Sequence, residues 1–167
     1  VEMKNIVAIV PVRGGSKRVK DKNIRPFAGT TLLDIKLETL KKVSGIDNII
    51  VSSDDARLLT IAEKHGVDVH RREEYYASDE CTNSEFFSNL AEVLGYYDNI
   101  MYSPVTCPLI SIDTYRSAIS KFQECDNLVT TSLVKHHLWL DGKPLNYDIK
   151  DSPNSQDLPN IMQITYG

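Results

Sequence analysis

The sequence predicts an α/β fold built on a mostly parallel sheet, and three observations carry that prediction. Short runs of continuous apolar, β-branched residues alternate with segments of helical period. The first run ends at once in a loop that packs two glycines and five basic residues into VPVRGGSKRVKDKN, residues 10 to 23. At 167 residues, with 41% hydrophobic and 25% charged residues, the chain is long enough to bury a sizeable core within a single domain.

Ile6–Val10 (IVAIV) reads as a strand buried on both faces. After the basic loop, Leu33, Leu37 and Leu40 recur at helical spacing beside Leu32 and Ile35, in a segment ending near Gly45. Asn48–Ser52 is a second buried strand. A helix follows over 56–65, with Leu58, Ile61 and Ala62 on one face; Gly66 closes it, and 67–69 makes a short third strand. A polar stretch then precedes a helix over 85–94, a strand over 99–102, a helix over 112–122 and a strand over 128–133. Strands alternating with helices imply right-handed βαβ crossovers, and ligands of such sheets sit at the carboxyl ends of the strands. The basic loop lies at that edge. From Lys135 the periodicity stops, with turn signals at Asp141-Gly142, Lys143-Pro144 and Ser152-Pro153-Asn154. We read 135–160 as a hairpin or extended arm and an oligomer contact. Ile164 to Gly167 reads as the beginning of a further strand, so the single domain over 1–167 is expected to be incomplete at its carboxyl end.

Composition excludes several classes of partner. The net charge is −4 and the pI about 5.6, which favours neither nucleic acid nor an anionic membrane. Against that acidic background the basic loop reads as a local anion site. Cys81, Cys107 and Cys125 lack CxxC spacing and imply neither a disulfide framework nor zinc, as in a cytoplasmic protein with reduced thiols. No run approaches the roughly 20 apolar residues of a membrane span.

The loop has the chemistry of a phosphate cradle. Gly14 and Gly15 let the backbone turn and approach a ligand, and their N–H groups with that of Ser16 can form an anion-binding nest. Arg13 can grip phosphate oxygens as a fork, while Lys17 and Lys22 are mobile point charges. Together they would neutralise a triphosphate and a departing pyrophosphate. Neither GxxxxGK[ST] nor GxGxxG is present.

These residues carry a resemblance. Pro11-Val12-Arg13-Gly14-Gly15-Ser16-Lys17, followed by Lys22-Asn23-Ile24, resembles the signature of the cytidylyltransferases that activate acidic sugars, the CMP-sialic acid (acylneuraminate) synthetases and their relatives. Ile50-Val51-Ser52-Ser53-Asp54 is similar to the family's IVSTD segment. Arg72 with Ala77-Ser78-Asp79 is similar to R-P-x-x-L-A-S-D, Thr106-Cys107-Pro108-Leu109 to T-S-P-L, and Gln156-Asp157-Leu158-Pro159 to Q-D-L-P. The order is the family's order across nearly the whole chain. The resemblance implies a Rossmann-like three-layer α/β/α fold of the nucleotide-diphospho-sugar transferase type, with an extended dimerisation arm. It implies attack of a sugar hydroxyl on the α-phosphate of CTP, with Mg²⁺ bridging phosphate oxygens and pyrophosphate leaving. Arg13, Lys17 and Lys22 would be catalytic; Gly14, Gly15, Ser16, Asn23, Arg72 and Asn83 would bind the nucleotide, Asn83 standing where the family often has a serine near the cytosine. The family's metal-binding aspartates would lie beyond Gly167, so no metal ligand is assigned within the chain.

Pro104 stands where the family has a sugar-contacting glutamine, and Asn154-Ser155 where an arginine usually precedes Q-D-L-P. Pro104 lacks a side-chain hydrogen-bonding group, which argues against N-acetylneuraminate itself. Asp54-Asp55 either positions a ribose or a metal, or Asp54 caps the following helix. His136-His137 and the pairs Tyr75-Tyr76 and Tyr96-Tyr97 are read as packing residues, and Ser16 is not read as a nucleophile. Two functions remain open on these residues: a homodimeric cytidylyltransferase for an acidic sugar, and a catalytically silent module that binds a nucleotide or CMP-sugar.

Overall fold

The computed structural model describes residues 5–16, 19 and 21–165. Four strands, β1 (Ile6–Pro11), β2 (Asn48–Ser53), β3 (Asp68–Arg71) and β4 (Asn99–Tyr102), form an all-parallel sheet in the order β3-β2-β1-β4. Between them run α1 (Leu32–Leu40), α2 (Ala56–Lys64) and α3 (Asn83–Val93), and α4 (Ile112–Phe122) follows β4. The steps from β1 to β2 and from β2 to β3 move the same way along the sheet, so right-handed crossovers place α1 and α2 on one face. The step from β3 back past β1 to β4 reverses direction and sends α3 to the other face. The packing agrees. Ala8, Val10, Ile49 and Val51 pack with Leu33, Leu37, Leu58, Ala62 and Tyr115 of α1, α2 and α4. Val7, Ile9 and Ile50 pack with Leu90 and Leu94 at α3. Three layers result, as expected.

The continuous apolar run of β1 is thereby explained: residues 6 to 10 are all buried, alternate side chains entering opposite cores. Each fully buried Val or Ile there contributes about 1.5–3 kcal/mol of apolar transfer. Side chains set the helix starts. Thr31, Asp55, Thr82 and Ser111 each accept a backbone N–H of the first turn, and Thr82 with Glu85 makes a reciprocal capping box. That box begins α3 at Asn83, two residues earlier than apolar periodicity predicts. Helix α1 stops at Leu40, short of Gly45, because the N–H groups of Lys42 and Val43 turn back to the carbonyls of Thr39 and Leu40.

The chain divides into two compact units, one through Leu128 and one from Val129. In the second, β5 (Thr130–Val134) pairs antiparallel with β8 (Ile161–Thr165), and β6 (Trp139–Leu140) pairs with β7 (Lys143–Pro144). Asp141 and Gly142 connect the latter pair with φ of 48° and 76°, the left-handed geometry of a tight hairpin turn. The strand expected over 128–133 is therefore corrected in bounds and in partner. It does not extend the parallel sheet. Thr130, Thr131 and Ser132 are exposed, whereas a parallel strand has both faces covered. Asn146 bridges the arm, accepting the Leu138 N–H at 2.9 Å and donating to the His136 carbonyl at 2.9 Å.

Candidate functional site

Strand β1 lies between β2 and β4, so the chain leaves it to one side and later returns on the other. Such a switch point leaves a crevice outside the carboxyl ends of the strands, where ligands of open parallel sheets bind. The basic loop begins there. Val12 N–H still bonds the Ser52 carbonyl at 3.0 Å, and beyond it the backbone turns at Gly14. Gly14, Gly15, Ser16, Asp21, Asp54, Asp55, Ala56 and Arg57 line a cavity of about 510 Å³.

Carboxylates from the start of α2 hold the loop. Gly14 N–H donates to Asp54 Oδ1 at 3.1 Å. Arg57 Nη2 joins Asp21 Oδ1 at 3.1 Å to Asp55 Oδ2 at 2.7 Å. Asn23, itself buried, donates its amide to the Arg13 carbonyl at 2.9 Å, bracing the loop from its far end. The helix cap is Asp55 and not Asp54: Asp55 Oδ1 accepts the Arg57 N–H at 2.9 Å, which frees Asp54 to face the loop. Hydrogen bonds from Arg57 hold the Asp55 carboxyl below its ordinary range, and the same contacts push the Arg57 guanidinium up.

The nest read from Gly14, Gly15 and Ser16 is only partly open. The Gly14 N–H is bonded to Asp54 and the Ser16 N–H to the Gly14 carbonyl at 2.7 Å. The two glycines also have different reasons. A Cβ on Gly14 would stand 2.7 Å from Asp55 Oδ2 and 3.0 Å from Asp55 Cβ. A Cβ on Gly15 would meet nothing within 4 Å, and its φ is not left-handed. The close approach of Asp55 demands glycine at 14; nothing among the described residues demands it at 15.

Of the predicted cations, Arg13 Nη1 is bonded to Asp79 Oδ1 at 2.8 Å and to the Ala77 carbonyl at 3.3 Å. The loop is thus tied to the segment after β3. Lys22 has no side-chain partner among the described residues. Lys17 lies outside them. Arg72 is buried: Nε donates to Ser52 Oγ at 3.1 Å, Nη2 to the Ser52 carbonyl at 2.5 Å and the Val12 carbonyl at 3.4 Å, and its guanidinium lies 5.0 Å from the Phe86 ring centroid. Burial lowers its pKa, opposed by Asp54. The structure thus gives Arg72 a bracing position across the ends of β1 and β2. Asn83 is exposed at the first turn of α3, outside the residues that line the cavity. Sequence reading did not single out Asp21 or Arg57. Their signal is faint: a run of Asp-Asp-x-Arg after a buried strand, and an aspartate inside a basic loop.

The family model described as Cytidylyltransferase matches residues 7–143. The chain belongs to the cytidylyltransferase family. Among its relatives, the pseudaminic acid cytidylyltransferase of Campylobacter jejuni is 32% identical over 125 residues, 72% of this chain and 53% of that protein. The N-acylneuraminate cytidylyltransferase of Oncorhynchus mykiss is 26% identical over 166 residues, 93% of this chain and 38% of that one. The chain thus spans about half the length, or less, of these curated relatives. A CMP:2-keto-3-deoxy-manno-octonic acid synthetase solved with CTP superposes with a TM-score of 0.66 at 15% identity, over 97% of this chain and 72% of that one, which shows a shared fold. The matched region contains the whole loop, the Asp54–Arg57 support and the turn after β4.

The glycines separate in a stability measurement. Gly14→Ala should lower the unfolding free energy by about 1–3 kcal/mol, the usual cost of forcing atoms into a packed site, whereas Gly15→Ala should leave the urea midpoint unchanged. Equal effects would refute the distinction. Asp55→Asn keeps a good cap and removes the charge together with one of the two oxygens that accept from Arg57. The folded Asp55 carboxyl titrates below its ordinary 3.8, so its contribution is complete above that pH and is lost as pH falls through the folded value. Wild type should therefore exceed Asp55→Asn in stability at pH 7, and the gap should close towards pH 2 in paired urea titrations.

Proposed function

We propose that the chain is the nucleotide-binding part of an enzyme that activates an acidic sugar of the nonulosonic class with CTP, giving CMP-sugar and pyrophosphate. The observation that carries this reading is the open face of Gly15 in the cavity at the carboxyl end of β1, within the region matched by the cytidylyltransferase family. A missing side chain with no cause among the described residues suits close approach of an external group, and Arg13 and Lys22 of the same loop would supply cations for a triphosphate. The relatives named for pseudaminic and N-acylneuraminic acids support a nonulosonic acceptor.

In this reading the loop binds the β- and γ-phosphates and stabilises the charge that develops on pyrophosphate as the α-phosphorus–oxygen bond breaks. The sugar hydroxyl oxygen bonds that phosphorus and its proton passes to solvent. Arg13 exchanges Asp79 for phosphate oxygens, and Lys17 and Lys22 add mobile charge. Ser16 and Asn23 keep the loop in register, Arg72 holds the strand ends beneath it, and Asn83 is retained as a cytosine contact. Mg²⁺ is the expected companion of the triphosphate. Among the described residues no three carboxylate, imidazole or thiol groups converge to hold it. Three free cysteines and no described helix able to cross a membrane accord with a cytoplasmic site. A homodimer formed through the second unit accords with its apolar exposure, Trp139, Leu140, Leu145 and Ile149 all being more than half exposed.

Calorimetric titration with CTP, UTP, GTP and ATP in the presence of Mg²⁺ tests the nucleotide. CTP alone should bind tightly, and Arg13→Ala should weaken it by about 1–3 kcal/mol, the scale of a lost charged hydrogen bond. Equal binding of all four, or none, would sink the cytidylyl reading; binding without pyrophosphate release on adding pseudaminate would favour the silent module. Light scattering should give twice the mass of one chain at micromolar concentration, and Trp139→Lys should return it to one. A wild-type monomer removes the dimer.

A further inference from the structure

Helix α1 carries a lysine where its core face calls for an apolar side chain. Lys36 is 2% exposed, among the least exposed residues of the core. Its Nζ donates to the Cys107 carbonyl at 3.0 Å and to the Tyr115 hydroxyl at 2.6 Å, 5.3 Å from the centre of the Tyr115 ring. That hydroxyl is 2.8 Å from Ser103 Oγ, and Ser103 N–H bonds the Ile9 carbonyl at 2.9 Å. Ser103 is 1% exposed and is the first residue after β4. No carboxylate among the described residues pairs with the ammonium, which has three N–H donors for these two acceptors.

For stability alone this is a poor choice. Removing a cation from water is costly, and a buried charge is commonly replaced by a well-packed apolar side chain with no loss or with a gain. The position of the group suggests what offsets that cost. The turn over 103–109 leaves the carboxyl end of β4, and the described part of the basic loop leaves the carboxyl end of β1; these strands are neighbours, so both segments leave the sheet at the switch point. Lys36 reaches beneath the turn after β4 and engages the Cys107 carbonyl, committing that acceptor to the interior. Thr106 and Leu109 on the same turn remain exposed.

We propose that Lys36 is a positioning residue for the anionic acceptor. It pins the turn after β4 through Cys107 and Tyr115, and its uncompensated charge favours an acidic sugar over a neutral one on that side of the crevice. This rests on the cytidylyl-transfer reading for the identity of the ligand, and on geometry alone for the hold on the turn. The test is Lys36→Met with Tyr115→Phe as companion, since the latter removes the hydroxyl and keeps the ring. Lys36→Met should have an unfolding midpoint equal to or above wild type while the amides of Thr106, Cys107 and Leu109 exchange at least tenfold faster. CTP affinity should change less than twofold, and KM for pseudaminate should rise at least tenfold. Tyr115→Phe should move exchange and KM in the same direction by less. A large fall in the midpoint with unchanged exchange at 106–109 would make Lys36 a packing residue and overturn the proposal, as would an unchanged KM with wild-type exchange. If wild type itself releases no pyrophosphate from CTP, the functional reading fails, and the exchange experiment still decides whether Lys36 holds the turn.

Discussion

The architecture depends on the double burial of β1. Its side chains alternate between two separate cores, Ala8 and Val10 against α1, α2 and α4, Val7 and Ile9 against α3. Its backbone is hydrogen-bonded along both edges. A one-residue slip would exchange those two side-chain sets between unlike cores, so the register is strongly determined. Because β1 cannot slide, the point at which Val12 leaves the sheet is set, and with it the origin of the basic loop. Ser103 bonds the same strand through the Ile9 carbonyl, so the turn after β4 is referenced to the same rigid element.

The loop that follows is basic in sequence and supported by acids in space. Asp54 takes the Gly14 N–H, Arg57 couples Asp21 to Asp55, and Asp79 holds Arg13. These contacts are largely solvent-accessible, with side-chain exposures of 41% and 49% for the Arg13–Asp79 pair, so each adds little stability. Their effect is orientation. Carboxylates at the end of β2, at the start of α2 and after β3 fix the path of Arg13 and Gly14 through exposed contacts that each cost little to exchange.

Much of the fold was legible in the sequence. Continuous β-branched runs identified β1 and β2 because strands covered on both faces need no polar alternation. Caps and glycines marked helix ends to within a few residues, and the position of the loop followed from the alternation of strands and helices. The misreadings share a cause. Asp54 and Asp55 are both good caps, and only the path of the backbone decides which one faces the first turn. The strand after α4 looked like the others in a linear scan, yet its exposed threonines pair with β8 thirty residues on.

The sequence by itself determined the α/β class, the place of the basic loop and, through ordered motifs, the family. Those properties reside in local periodicity and in residue types at short spacing. Tertiary structure alone decided which carboxylates support the loop, that Gly14 answers to Asp55 while Gly15 meets no described residue, and that Lys36 lies buried beneath a turn 71 residues away. Such facts depend on side chains brought together by crossovers between strands, and no period or spacing within the chain encodes that proximity.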